Sequence, residues 1–416
     1  MSILKEVDVL VIGAGPSGTI AASILNKSGL KVQIVEKMLF PRFVIGESLL
    51  PRCMEALEEA GFLDAVKAKK FQQKDGAKFV MEDKVCDFNF NQQYTQGWTW
   101  TWQVPRAEFD KTLADECTRQ GVPVHYETEV IDIKINDDGT SVTTVKTADG
   151  KEETIKARFI VDGSGYGRVI PRLFGLDKPS TQYPRKTLFS HLSDPKRNAA
   201  YEPNRIIAIV HNPTTWIWVI PFSNGNTSVG YVGNPEFFDQ STGTPEEQFR
   251  KLIDAEPMLK ERFGESELIW GEPRTLQSWS ATTDKFYGKG FVLTGNVTEF
   301  LDPIFSSGVT LASVSAQTAA KLIIRELKGE EVNWEEEYMH HMQQGVNVFR
   351  TYVNSWYDGS LFKIFFSEQR TPEIMGQICS VLAGYVWDMS NPFVKNHEKN
   401  VRTLSRYLDI MQKNEA

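Results

Sequence analysis

The N-terminal stretch VDVLVIGAGPSGTIAASILNKSGLKVQIVEK restricts the fold more than any other part of the chain. DVLVI is an apolar run that reads as a buried strand, and GAGPSG supplies Gly13, Gly15 and Gly18 of a G-x-G-x-x-G turn. TIAASILNKSG is a helical run ending at Gly29, and KVQIVE is a second strand closed by Glu36. Gly13 permits the tight turn, Gly15 lets backbone approach a pyrophosphate, and Gly18 allows the helix to lie close to the strands. The helix N-terminus offers unpaired N–H groups and a favourable dipole to an anion. Glu36 comes 18 residues after Gly18, near the ~20 expected of a carboxylate that grips ribose hydroxyls. Strand, turn, helix, strand and carboxylate together are the context this motif requires. They predict an α/β chain that opens with a Rossmann-like dinucleotide-binding unit.

At 416 residues there is room for more than that unit. A net charge of −8, with no long run of one sign, argues against nucleic acid or an anionic membrane as partner. Cys53, Cys86, Cys117 and Cys379 have neither C-x-x-C nor disulfide-framework spacing. His340 and His341 are adjacent, so on a helix they do not share a face, and no metal site is expected. The N-terminus lacks the pattern of a signal peptide. No apolar run reaches the roughly 18 residues a membrane span needs. The expectation is a cytoplasmic protein without a membrane span.

Three further stretches leave their role open on residues alone. In TTWIWVIPF the period of a strand puts Trp216, Trp218 and Ile220 on one face. That face can pack a core or wall a site, and Pro221 ends the strand or marks an edge. WTWTWQVPR likewise aligns Trp98, Trp100 and Trp102, as core packing or as a pocket wall. Lys74 follows Lys67, Lys69 and Lys70 and precedes an Asp75-Gly76 turn, so a solvated basic face is its ordinary reading.

Segments later in the chain resemble FAD enzymes of the p-hydroxybenzoate hydroxylase superfamily. VPRAEFDKTLADECTRQGVPVHYETEVIDI, from residue 104, is similar to the region after their first nucleotide unit. The resemblance implies that Arg106 reaches the flavin phosphates and that backbone near Val130 meets the adenine. ARFIVDGSGYGR, from 157, resembles their Asp-Gly motif, which implies Asp162 and Gly163 beside the pyrophosphate. GKGFVLTGNVTEFLDPIFSSGVTLA, from 288, resembles the segment that closes the flavin site, with a helix starting near Gly308 and aimed at the flavin. The family usually carries Gly-Asp where this chain has Gly295-Asn296. Asparagine keeps the capacity to hydrogen-bond a ribityl hydroxyl and loses the charge. Only one G-x-G-x-x-G is present. Electrons are therefore expected from transient NAD(P)H or through a separate flavin reductase.

Four motifs narrow the resemblance to the flavin-dependent halogenases. PRFVIGESLLP, 41 to 51, is similar to their flavin-contacting strap and implies contacts from Arg42 and Ser48. FQQKDGAKF, 71 to 79, resembles the segment with their catalytic lysine, which falls on Lys74. TWIWVIP contains their Trp-x-Trp-x-Ile-Pro signature, and FLDPIFSSGV resembles the segment whose Ser-Gly backbone binds halide, here Ser307 and Gly308. Tryptophan-type members are longer chains with a glutamate at the position of Phe305. This chain sides with the branch that takes phenols or carrier-bound substrates. The implied cofactor contacts are Gly13, Gly15, Pro16, Ser17, Gly18, Glu36, Lys37, Arg42, Ser48, Arg106, Val130, Asp162, Gly163, Gly295, Asn296, Pro303, Ser306, Gly308 and Val309. Trp216, Trp218 and Phe305 are expected to form a barrier between substrate and flavin.

The expected architecture is a discontinuous Rossmann-like FAD/NAD(P)-binding domain over 1–85, 103–180 and 285–330. An inserted antiparallel sheet forms the substrate domain over 86–102 and 181–284, where turns such as NPTT and SNGN separate alternating segments. Residues 331–416 read as a helical region, with Val346, Phe349, Val353 and Trp356 at helical intervals. The resemblance implies oxidation of a halide by reduced FAD and O2, with the halogen passed by Lys74 to an aromatic substrate. A monooxygenase or a dehydrogenase/reductase on the same scaffold, and a flavin-binding protein without chemistry, are the alternatives.

Overall fold

The computed structural model describes residues 5–180, 182–197, 204–277 and 282–415. Parts of the expected insert, at 198–203 and 278–281, lie outside the described residues. The N-terminal fingerprint folds as its pattern predicts. Strand Lys5–Ile12 leads through the glycine turn into helix Pro16–Lys27, and the chain returns as strand Val32–Val35. These strands are buried on both faces of a layer, which is why they read as unbroken apolar runs. Among the described residues the sheet has eight strands. Its parallel centre runs Phe291–Leu293, Glu152–Asp162, Lys5–Ile12, Val32–Val35 and Val124–His125. Strand Ser141–Lys146 pairs antiparallel with the first half of Glu152–Asp162, and Glu129–Ile135 pairs antiparallel with Ser141–Lys146 in turn.

The glycines are needed where backbones meet. Gly13 has φ +94°, and a Cβ there would stand 2.7 Å from the Gly163 carbonyl oxygen. A Cβ on Gly18 would lie 1.9 Å from the Gly13 oxygen. Helix and strand can approach this closely only without side chains.

A second, seven-stranded sheet stands beside the first, in the order Arg274–Gln277, Lys186–Ser193, Asn226–Gly233, Thr215–Pro221, Arg205–Asn212, Gly76–Met81 and Lys84–Asn89. It is antiparallel except where Arg205–Asn212 pairs in parallel with Gly76–Met81. The sequence reading assigns residues up to 85 to the nucleotide domain, whereas the chain crosses to the second sheet at Gly76. Strand Gly76–Met81 carries too little local signal to reveal its long-range partner.

The alternation in Thr215–Pro221 sorts two cores. Trp216, Trp218 and Ile220 face the large core that joins the nucleotide sheet to the C-terminal helices. Ile217 and Val219 face a smaller core under the helices of 235–263. The C-terminal region is helical, and Val346, Phe349, Val353 and Trp356 of helix His341–Tyr357 are all buried. Among the described residues no helix is long and apolar enough to cross a membrane.

Candidate active site

A cavity of about 480 Å³ opens at the carboxyl ends of the central parallel strands and extends to the second sheet. Gly13, Gly15, Pro16 and Ser17 line it from the fingerprint, and Glu36 and Lys37 from the end of strand Val32–Val35. Arg42 and Ser48 come from the strap, Arg106 from the start of helix Arg106–Arg119, and Val130 and Gly163 from the sheet edge. Asn296, Pro303, Ser306, Gly308 and Val309 close it, and Trp216 and Trp218 wall it from the second sheet.

Several expected residues reach the site indirectly. Gly18 and Gly295 are not on the wall but permit the packing behind it. The Asp162 carboxylate is fully buried and accepts from the Ser164 N–H at 3.0 Å and the Ile170 N–H at 2.7 Å. It fixes the turn that presents Gly163. Ser307 also lies behind the wall, at the first position of helix Ser307–Leu327, whose N-terminus meets the cavity through Gly308 and Val309. Phe305 packs edge-on against Tyr352 and Trp356 in the large core and lies off the cavity wall. A phenyl ring there gains more from aromatic packing than from facing a polar ligand.

Two arginines converge on one carboxylate. Asp110 receives Arg106 through Nε at 2.8 Å and Nη2 at 2.9 Å, and Arg42 through Nη1 at 3.1 Å. Arg106 Nη1 also donates to the carbonyls of Ile45 and Gly46. Most of the Arg106 fork therefore ties down the strap, while the pair of arginines leaves net positive charge beside Gly15. Glu36 accepts from the N–H groups of Ala14 and Met38, which sets its carboxylate at the strand end.

Lys74 sits at the end of the short strand Gln72–Lys74, paired with Thr101–Gln103. It is fully buried, in contrast to the solvated face that its lysine-rich neighbourhood suggests. Its Nζ donates to the Leu49 carbonyl of the strap at 2.8 Å and lies 5.6 Å from the Phe90 ring centroid. Burial lowers its pKa to about 7, partly opposed by Cys53. Leu49, whose carbonyl the amine meets, follows Ser48 in the strap, but Lys74 is not itself on the cavity wall.

The tryptophans of 98–102 resolve as packing. Only Thr101–Gln103 forms a strand, and Trp98, Trp100 and Trp102 stack edge-to-face at 5.6 and 5.0 Å, away from the cavity. Trp218 donates to Ser228 Oγ at 3.0 Å. Trp216 donates to the Tyr357 hydroxyl at 3.0 Å, and Tyr357 donates to Asp302 at 2.8 Å. Burial raises the Asp302 carboxyl to about 6, against the pull of Tyr357, the Ile304 N–H and Arg185. Sequence reasoning missed Asp302 and Tyr357, and also Glu47, Tyr166 and Phe300 of the cavity wall. Glu47 and Tyr166 stand inside motifs already singled out, so a residue-by-residue reading of those motifs finds them. Nothing local marks Tyr357.

The residues fit a flavin dinucleotide. The glycine turn is shaped down to bare backbone, Arg42 and Arg106 offer positive charge, and Ser48 Oγ and Glu47 Oε2 are buried on the wall without hydrogen-bond partners. An unpartnered buried oxygen of this kind marks a place where a polar ligand belongs. Such a fold and cavity define an FAD-dependent oxidoreductase.

Comparison with known proteins agrees. Residues 6–339 match the FAD binding domain family. The 1H-pyrrole-2-carbonyl-(peptidyl-carrier protein) chlorinase of Pseudomonas fluorescens is 28% identical over 376 residues, 85% of this chain and 82% of that protein. The corresponding brominase of Pseudoalteromonas luteoviolacea is 26% identical over 395 residues, 93% and 94% of the two chains. A crystal structure described as a flavoprotein/dehydrogenase from Cytophaga hutchinsonii superposes with TM-score 0.96 at 60% identity, covering 98% of this chain and 100% of that one. The chain belongs to the FAD binding domain family, and among its relatives it is similar to flavin-dependent halogenases.

Proposed function

We propose that this protein halogenates an electron-rich aromatic substrate, delivered free or on a carrier protein, with Lys74 as the residue that passes on the halogen. The observation that carries this reading is the Lys74 amine, buried and held 2.8 Å from the Leu49 carbonyl of the strap that lines the cavity. Bound reduced FAD would give two electrons to O2, and the halide two more, leaving oxidised FAD, water and an electrophilic halogen. The chain's own residues do the rest. The N-terminus of helix Ser307–Leu327 offers Gly308 and the Ser307 backbone to a halide, where N–H groups and the dipole favour an anion. Trp216 and Trp218 fill the substrate side with rigid apolar bulk, which keeps organic substrate and water away from the reacting centre. A lysine depressed to about 7 has both protonation states within reach at neutral pH, so it can donate a hydrogen bond or act as a nucleophile. The similar carrier-protein chlorinase and brominase support a pyrrole or comparable ring on a carrier as substrate class. A separate flavin reductase would supply reduced FAD.

The test combines purified protein, FAD, a flavin reductase, NADH, and chloride or bromide with phenols and a carrier-bound pyrrole. Halide-dependent product is expected. Lys74→Ala should abolish it while FAD affinity stays within about twofold. A Lys74→Ala variant that halogenates normally would falsify the assignment.

Two observations favour a second reading. Lys74 is enclosed rather than presented on the wall, and the 60% identical structure is described as a flavoprotein/dehydrogenase. A dehydrogenase or monooxygenase on the same scaffold would consume substrate with no requirement for halide and no loss in Lys74→Ala.

A further inference from the structure

The middle residue of the strap's Gly46-Glu47-Ser48 is a buried carboxylate. Glu47 is 1% exposed and lines the cavity beside Ser48. Its Oε1 meets His191 Nε2 at 2.6 Å, and its Oε2 is buried with no partner. A carboxylate oxygen buried without a hydrogen-bond partner is costly. Such a group persists when a ligand completes it.

The surroundings hold this carboxylate firmly. The Glu47 carbonyl accepts from the Val104 N–H at 2.7 Å, and Leu49 N–H donates to the Trp102 carbonyl at 3.1 Å, so the strap backbone is clamped on both sides. His191 comes from strand Lys186–Ser193 of the second sheet. Its ring lies 4.0 Å from the Trp270 ring and 5.0 Å from Phe222. Arg106 feels the charge of Glu47 but already spends its fork on Asp110, Ile45 and Gly46. The carboxylate is therefore held by a histidine from the opposite domain, and it belongs to a residue of the wall around the space the cofactor fills.

We infer that Glu47 is a flavin-binding residue: its free oxygen accepts a hydrogen bond from a donor on the flavin moiety, and His191 is the positioning residue that holds the carboxylate there. The donor is either the ring N3–H or a ribityl hydroxyl. Both are N–H or O–H groups that pair with a carboxylate. This inference rests on FAD as cofactor and does not depend on halogenation.

The test titrates apoprotein with FAD, N3-methyl-FAD and ADP, read by flavin fluorescence and calorimetry. Glu47→Gln keeps an acceptor oxygen but loses the charge, and should weaken FAD about tenfold, as expected when a charge-assisted hydrogen bond becomes a neutral one. His191→Asn should weaken it several-fold with Glu47 still in place. ADP, which lacks the flavin, should bind all three proteins alike. If the donor is the ring N–H, methylation weakens binding to the wild type more than to Glu47→Gln, whose neutral oxygen makes the weaker bond. If it is a ribityl hydroxyl, both proteins tolerate methylation equally and Glu47→Gln still weakens FAD. Unchanged FAD affinity in Glu47→Gln, or an equal loss for ADP, overturns the inference. Should Glu47→Gln fail to fold, Glu47→Asp withdraws the carboxylate by one methylene and carries the same expectations.

Discussion

At the scale of single residues, two buried titratable groups sit close to the cavity and are shifted by the same cause. Removal from water disfavours charge, which lowers the Lys74 amine to about 7 and raises the Asp302 carboxyl to about 6. For Asp302 the sign follows directly. Between its ordinary value of 3.8 and about 6, the folded protein keeps a proton that the unfolded chain releases. Stability from this group therefore falls as pH rises through that window, and the whole cost is present above about 6. Asp302→Asn removes the titration and weakens the hydrogen bonds from Tyr357 and the Ile304 N–H. Its destabilisation should be largest near pH 4 and shrink toward pH 7, by an amount on the order of 3 kcal/mol. Urea denaturation of both proteins across pH 4–7 measures it. A parallel pair of curves would remove Asp302 as the source. Neither shift is legible in sequence, since Lys74 follows three lysines and Asp302 reads as an ordinary turn residue before Pro303. Burial is set by partners far along the chain.

At the scale of elements, legibility tracks how local the determinants are. The strand, glycine turn, helix and strand of 5–35 are dictated by residues within a few positions of one another, and they form as read. The face of Thr215–Pro221 that carries Trp216 and Trp218 was equally legible from its period. What that face meets was not. Trp216 reaches Tyr357, 141 positions away, and Tyr357 reaches Asp302 across 55. One phenol thus joins the tryptophan strand, helix His341–Tyr357 and the segment leading to Ser306. Tyr357→Phe leaves the Trp216 N–H and one Asp302 oxygen without a partner. It should destabilise the protein by about 1–3 kcal/mol while FAD affinity changes less than twofold, because Tyr357 is off the cavity wall. Denaturant melts with a parallel FAD titration separate the two effects. In 98–102 the same reasoning overreached, since the aromatic alternation there serves edge-to-face stacking and only its last residues enter a strand.

At the scale of the whole molecule, the regions read from sequence as separate domains share one interior. The large core includes Val9 and Ile34 of the nucleotide sheet, Trp216 and Trp218 of the second sheet, and Trp356, Phe365 and Ile378 of the C-terminal helices. The cavity draws its wall from the first two. The domain split was legible as a change of pattern along the chain, but the shared core was not, because hydrophobic periodicity says which face is buried and not against what. A common core and a ligand that bridges its parts should make unfolding cooperative. FAD at 100 times its dissociation constant should add ~2.7 kcal/mol to the unfolding free energy. Flavin release, tryptophan fluorescence and far-ultraviolet ellipticity should then lose their native signals at one temperature. Helices that melt before the tryptophan signal changes would show that the C-terminal region is a separate unit docked on the sheets. In that case Trp356 and Phe365 would contribute to a dissociable interface rather than to the core that fixes Trp216 on the cavity wall.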